Sequence, residues 1–199
     1  MDNNIFSAMQ LDALKEVSNI GVGNAATAMS DLLGKKVDMT VPCINMVQLE
    51  KLINDAGEDQ VIGIIVRVLG EIPGNILIVF QLDVAYSIIS LLTGKVEEEI
   101  SEMGNSVLCE IGNILCGSYM NAISQFTGIK VLPSVPAIAC DMMSAILATT
   151  FIEAGQYEEY ILDIETVFLN ELNSDMGTHF YYIPVPGSLQ KILNSIGIN

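Results

Sequence analysis

The 199-residue chain is 51% hydrophobic and carries a net charge of −16, with 24 acidic against 8 basic side chains. That balance excludes a nucleic-acid or anionic-membrane footprint, both of which need clustered cations; it suits solubility alone or a protein partner that offers lysines. The length allows one large domain or two small ones, and half-apolar composition supplies ample core. Apolar runs are too short and too interrupted to span a bilayer, and no basic segment leads into an apolar N-terminal stretch, so a cytoplasmic protein without membrane insertion is expected. Cys43, Cys109, Cys116 and Cys140 lie outside any CxxC spacing and His179 is the single histidine, a pattern of buried thiols rather than of a zinc site.

Ser7-Ala8-Met9-Gln10 is a capping box, so a helix is predicted to begin near residue 8. Gly34 followed by Lys35-Lys36 ends it, with glycine at the C-cap and cations at the negative pole. Extended chain runs from Val37 to Pro42, and residues 43–60 read as a linker. Strands are predicted over Val61–Leu69 and Asn75–Leu82, joined by a turn at Glu71-Ile72-Pro73-Gly74, then a short helix over Val84–Thr93 that stops at Gly94.

The second half repeats the first at an offset of 94 residues: Ser7 maps on Ser101, Glu16 on Glu110, Asn19 on Asn113, Gly34 on Gly128 and Pro42 on Pro136. It predicts a helix from Ser101 to Gly128, extended chain from Val131 to Pro136, a linker over 137–159, strands over Tyr160–Leu172 and Thr178–Val185, and a closing helix over Gly187–Ile196. In the second linker, Asp141-Met142-Met143-Ser144-Ala145-Ile146 opens a helix whose methionines are read as core. The repeat fixes the architecture: one domain over 1–199 with internal repeats of about 7–94 and 101–197, of mixed α/β (α+β) class, with pseudo-two-fold symmetry and long helices packed on an antiparallel-rich sheet.

At about 100° per residue, Leu14, Val17, Gly21, Ala25, Ala28 and Leu32 share one face of the first long helix, and Leu108, Ile111, Leu115, Tyr119, Ala122 and Phe126 that of the second. Both sets are apolar. The small set of the first (Gly21, Ala25, Ala28) fits the bulky set of the second, so the two helices are expected to pack together.

The opposite face carries Asp12, Glu16, Asn19 and Gly23, repeated as Ser106, Glu110, Asn113 and Gly117. A solvated face drifts after duplication, yet this one keeps Glu, Asn and Gly. Glycine inside a helix costs about 1 kcal/mol relative to alanine, so its retention suggests close approach to the backbone there. No Ser-His-Asp or Cys-His set, P-loop or complete dinucleotide fingerprint is present, and His179 falls in a predicted strand. A Glu/Asn pair one turn apart has two uses without such parts: the amide orients a water, and the carboxylate pairs with a cation or takes a proton. Such a face can complete a phosphoryl-transfer site whose phosphate and metal sit on a partner.

The doubled pattern [Asp/Ser]-x3-Glu-x2-Asn, with Pro after 22 further residues, is met by Asp12, Glu16, Asn19 and Pro42 and by Ser106, Glu110, Asn113 and Pro136. With its contexts Asn19-Ile20-Gly21-Val22-Gly23-Asn24 and Asn113-Ile114-Leu115-Cys116-Gly117, and the closing Ile183-Pro184-Val185-Pro186-Gly187-Ser188-Leu189, nearly the whole chain resembles the CheC/CheX/FliY family of chemotaxis phosphatases. The resemblance implies hydrolysis of the aspartyl phosphate of a CheY-like response regulator. Asn19 and Asn113 would orient the attacking water, and Glu16 and Glu110 would pair with a lysine of the regulator. Asp12 and Ser106 occupy the first motif position, and Gly23 and Gly117 support the motif. No cofactor of the chain's own is implied, Mg²⁺ being supplied by the regulator. The receptor deamidase CheD is a second implied partner; no motif marks its surface, for which the Asp141–Ile146 stretch is offered. CheX-like members carry one motif and FliY-like members add a flagellar-switch domain, so two motifs in a short chain favour the CheC branch. The competing reading is a non-enzymatic module that holds the phosphorylated regulator or CheD. A small-molecule hydrolase is disfavoured by the missing nucleophile and metal ligands.

Overall fold

The computed structural model describes residues 6–96, 99–153, 160–169 and 175–198. Its first half runs α1 (Ala8–Leu33), β1 (Asp38–Met39), β2 (Cys43–Gln48), α2 (Leu49–Asp55), β3 (Gln60–Gly70), β4 (Gly74–Gln81) and α3 (Leu82–Thr93). The second runs α4 (Glu102–Thr127), β5 (Val131–Pro133), β6 (Ala137–Met142), α5 (Met143–Glu153), β7 (Tyr160–Leu169), β8 (Asp175–Pro184) and α6 (Ser188–Ser195). The two halves share one element order.

The long helices form where the caps place them, and both span 26 residues. The Ser7 hydroxyl accepts from the Gln10 amide at 3.3 Å while the Ser7 amide donates to Gln10 Oε1 at 2.7 Å, satisfying two of the orphan donors of the first turn. Ser101 accepts from the Gly104 amide at 3.1 Å. Gly34 and Gly128 close the helices in the left-handed region, at φ 62° and 73°, where a side chain would be strained.

Among the described residues both predicted linkers carry regular elements. Each holds a strand and a helix, β2 with α2 and β6 with α5, and the strand passes into the helix without a break at Gln48–Leu49 and Met142–Met143. Met142 is therefore the last strand residue rather than part of a helix, and it is exposed. The extended stretches before Pro42 and Pro136 pair only over Asp38–Met39 and Val131–Pro133. The predicted continuation of β7 to residue 172 lies outside the described residues.

One eight-stranded antiparallel sheet runs β1-β7-β8-β4-β3-β5, with β2 also on β7 and β6 also on β3. The halves exchange strands: β1 and β2 of the first pair with β7 of the second, and β5 and β6 of the second pair with β3 of the first. At the centre β4 pairs with its repeat equivalent β8, from Gly74↔Pro184 to Phe80↔Thr178. Since α1 and α4 lie on the same face of that sheet, the pseudo-two-fold axis stands perpendicular to it, and the two long helices run antiparallel.

The main core lies between this face and the helices, where Ile62, Ile64, Ile76, Ile78, Phe80, Phe168 and Phe180 meet α1, α3, α4 and α6. On the other face Ile146, Leu147 and Phe151 of α5 cover Leu77, Val79, Tyr181 and Ile183, with α2 against α5. The expected small-against-large fit is present. A Cβ on Gly21 would stand 2.6 Å from the Tyr119 ring and 2.9 Å from Ile123 Cδ1, so only glycine admits Tyr119, whose ring lies 5.0 Å from that of Phe180 and 6.0 Å from that of Tyr182. One part of the predicted core face needs correction. Phe126 is 50% exposed and Ala28 and Leu32 are half-buried, while Met29, Leu33, Ile123 and Thr127 are buried. In both helices the buried stripe has drifted by one residue at the C-terminal end, because a line of contact between elements crossing at an angle does not follow a fixed helical period.

Candidate functional site

The motif face of α1 and α4 looks away from the sheet. Asp12, Glu16, Ser106, Glu110 and Asn113 are exposed, and Asn19, Gly23 and Gly117 are half-buried. Glu and Asn three residues apart stand about 4.5 Å apart along the axis on nearly the same side. Among the described residues none of Glu16, Asn19, Glu110 and Asn113 has a side-chain partner within the chain. Two carboxylates, Asp12 and Glu16, sit one turn apart, an arrangement that costs a helix a few tenths of a kcal/mol. Ser106 differs from Asp12, because its hydroxyl donates to the Glu102 carbonyl at 2.9 Å.

The motif's distant proline has a geometric reason. From Asn113 the chain climbs 14 residues to the end of α4 at Thr127, about 21 Å at 1.5 Å per residue. It turns at Gly128 and returns through eight residues to Pro136, about 26 Å of extended chain. The return brings Pro136 beside Gly112, the residue before Asn113: its Cβ and Cγ lie 3.5 Å from where a Cβ on Gly112 would be. In the first half Met39 of the returning chain lies 3.5 Å from the corresponding point on Gly23, and Pro42 is buried. Each motif is thus a helix face with a returning loop laid along its edge.

The glycines differ in what they answer to. Gly21 and Gly112 are required by the chain itself, since a Cβ would meet Tyr119 or Ile64 at 2.6 Å. Around Gly117 nothing stands within 4 Å of the added carbon, and at Gly23 the Met39 contact is ordinary. Packing within the chain therefore does not explain why these two outward positions lack a side chain.

An apolar cavity of about 10 Å³ between helix and sheet is lined by Val68, Ile72, Tyr119, Met120 and Ile123, and an open groove of about 330 Å³ by Glu71, Ile129, Lys191, Asn194 and Ser195; neither includes a motif residue. Among the described residues no group of three or more His, Cys, Asp or Glu side chains is placed to hold a metal ion, and no helix is long and apolar enough to cross a membrane. His179 lies in β8, its Nδ1 3.1 Å from Glu165 Oε1, which also accepts from the Tyr181 hydroxyl at 2.9 Å. That pair belongs to the sheet, not to the helix face. The sequence singled out the motif residues but not the apolar positions beside them, whose only signal is that they too recur at the repeat offset.

The model of the CheC-like family matches residues 9–46 and 103–140, two segments separated by the same 94 residues as the repeat. CheY-P phosphatase CheC of Bacillus subtilis (strain 168) is 31% identical over 196 residues, covering 94% of each chain. The flagellar motor switch phosphatase FliY of the same organism is 32% identical over 136 residues, 66% of this chain and 36% of that protein. The crystal structure of Thermotoga maritima FliY superposes with a TM-score of 0.76 over 96% of this chain and 97% of that one, at 20% identity. By the family model's match to both halves and a 31% identity with a CheC over 94% of each chain, the chain belongs to the CheC-like family.

Proposed function

We propose that the protein hydrolyses the aspartyl phosphate of a CheY-like response regulator, presenting one Glu/Asn pair at a time to the regulator's own active site. The observation that carries this reading is the outward placement of two matched Glu/Asn pairs on helix faces, Asn19 half-buried and the other three side chains exposed, apart from both cavities described above. A side-chain set on a convex helix meets a substrate that brings its own cleft, which a small metabolite does not. The relatives named CheY-P phosphatase and flagellar motor switch phosphatase make the protein a phosphatase and give it a phosphorylated CheY as partner.

In this mechanism the Asn19 or Asn113 amide carbonyl accepts a hydrogen bond from a water and turns its lone pair toward phosphorus. Water attacks and the acyl-phosphate P–O bond breaks. The regulator's aspartate leaves as carboxylate, and the water's proton departs with inorganic phosphate. Glu16 or Glu110 pairs with a lysine ammonium of the regulator and fixes the approach. The regulator's Mg²⁺ supplies charge stabilisation on the phosphoryl oxygens. The chain contributes position rather than a nucleophile, and positioning alone carries several kcal/mol of a barrier. CheD is proposed for the opposite face, where Asp141 and Met142 are exposed ahead of α5, clear of the regulator. The cytoplasmic location goes with these partners.

The test is phosphate release from a phosphorylated regulator in Mg²⁺, with and without the protein. Faster release supports the phosphatase. Binding to the regulator without acceleration supports the holding module instead.

A further inference from the structure

Twelve large apolar side chains are strongly exposed among the described residues, and two pairs of them recur at the 94-residue offset: Met9 with Met103, and Val41 with Val135. Their exposures are 71%, 62%, 73% and 86%. The rest have no exposed apolar counterpart. Leu132 answers to Asp38, Met142 to Gln48 and Ile152 to Glu58.

Both recurring pairs border the motif. Met9 and Met103 lie seven residues before Glu16 and Glu110, two turns down the same outward stripe. Val41 and Val135 directly precede Pro42 and Pro136, and Pro136 packs at Gly112, the residue before Asn113. Each Glu/Asn pair therefore has an exposed methionine along the helix axis and an exposed valine on the loop that returns to its helix, by the Pro136–Gly112 contact in the second half and the Met39–Gly23 contact in the first. Methionine and asparagine span about 15 Å, within the reach of one protein–protein interface.

We propose that Met9 with Val41, and Met103 with Val135, are the apolar anchors by which each site docks the folded regulator; this rests on the phosphatase reading above. Exposed apolar carbon gains nothing in water, so its retention in both halves beside the motif, and at no other repeated position among the described residues, marks a surface covered during function. Met is suited to such a surface because its flexible thioether adapts to a partner's relief. The occupant is the regulator rather than a second copy. The anchors are continuous with the Glu/Asn stripe, and a second copy would set Asp12, Glu16 and Glu110 against like charge in a chain of net charge −16.

The experiment uses the full chain with its first site silenced by Glu16→Ala and Asn19→Ala together with Met9→Asp and Val41→Asp. Onto it are placed Met103→Ala, Val135→Ala and Met103→Asp with Val135→Asp, with Leu91→Asp, exposed on α3 outside the stripe, as control. Affinity is measured for a regulator carrying beryllofluoride, a non-hydrolysable phosphoryl mimic, and turnover for the phosphorylated regulator. The aspartate pair should weaken Kd and KM by about tenfold or more, and each alanine by a smaller factor. The kcat should stay within about twofold, with unchanged thermal unfolding. Unchanged Kd and KM would overturn the proposal, as would an equal loss in Leu91→Asp. It would also fall if sedimentation showed a wild-type dimer that the aspartate pair dissolves while regulator affinity holds. If the wild type binds the regulator but does not speed phosphate release, the phosphatase reading fails and the Kd comparison still decides the anchors. If it does not bind at all, both fall.

Discussion

Replacing Gly117 by alanine separates what the fold needs from what a partner needs. The position lies in the middle of α4, and no atom stands within 4 Å of the added Cβ. The substitution should therefore stabilise the protein by about 0.5–1 kcal/mol, the helix preference of alanine over glycine. In a chain of 199 residues that raises Tm by about 1–4 °C. The same change at Gly21 or Gly112 should act in the opposite direction. There the methyl would meet the Tyr119 ring or Ile64 Cγ2 at 2.6 Å. Tyr119 is held by Phe180 and Tyr182 and cannot give way, so overpacking of about 1–3 kcal/mol outweighs the propensity gain. Thermal and urea unfolding of the three variants gives the signs. Regulator-dependent phosphate release then gives the function, where Gly117→Ala, in a chain with the first site silenced, should lose affinity despite its higher Tm. A less stable Gly117→Ala would refute the packing argument. A more stable one with unchanged kinetics would refute the claim that the bare backbone serves a partner.

With the first site silenced, Glu110→Ala should raise KM, because losing a charge-assisted contact costs about 1.5–3 kcal/mol; Asn113→Ala should lower kcat at saturating regulator. The reverse pattern in the kinetics would exchange the two roles and make the glutamate the candidate general base. The expected pattern of buried thiols holds only for Cys116, since Cys43 and Cys140 are exposed and Cys109 is half-buried. Burial pushes the Cys116 thiol far above its ordinary pKa, so alkylation followed by mass spectrometry should label Cys140 while sparing Cys116 until the protein unfolds, and equal rates would contradict the buried seam of α4. A chain of residues 1–96 alone should show no cooperative unfolding as a monomer, because β1 and β2 lack β7, and β3 lacks β5 and β6. A folded monomeric half, seen by circular dichroism and sedimentation, would refute that dependence.

The sequence was most legible where local chemistry decides. Ser7, Gly34, Ser101 and Gly128 set helix ends through their own backbone demands, and the Gly21–Tyr119 fit was readable because one residue is too small and its neighbour too large. The helix of the second linker was legible, but the strands of both linkers and the helix of the first were missed because Gln48–Leu49 and Met142–Met143 carry strand into helix with no glycine or proline to mark the change. The strand exchange was hidden for a different reason: periodicity says that a segment is extended, not which half it pairs with. Phe126 was misplaced because a fixed angular period does not follow a contact line that drifts around the helix. The motif residues were legible through the repeat alone. The returning loop that brings Pro136 to Gly112, and with it the exposed valines, became visible only once the chain was folded.

The most direct measurement is single-turnover phosphate release from a phosphorylated CheY-like regulator in Mg²⁺, with saturating wild-type protein beside the Asn19→Ala/Asn113→Ala variant. Both asparagines lie outside the buried core, so the variant should fold and melt like the wild type. The account predicts rapid release with the wild type and release near the regulator's own rate with the variant. Wild-type rates from the doubly substituted protein would contradict it.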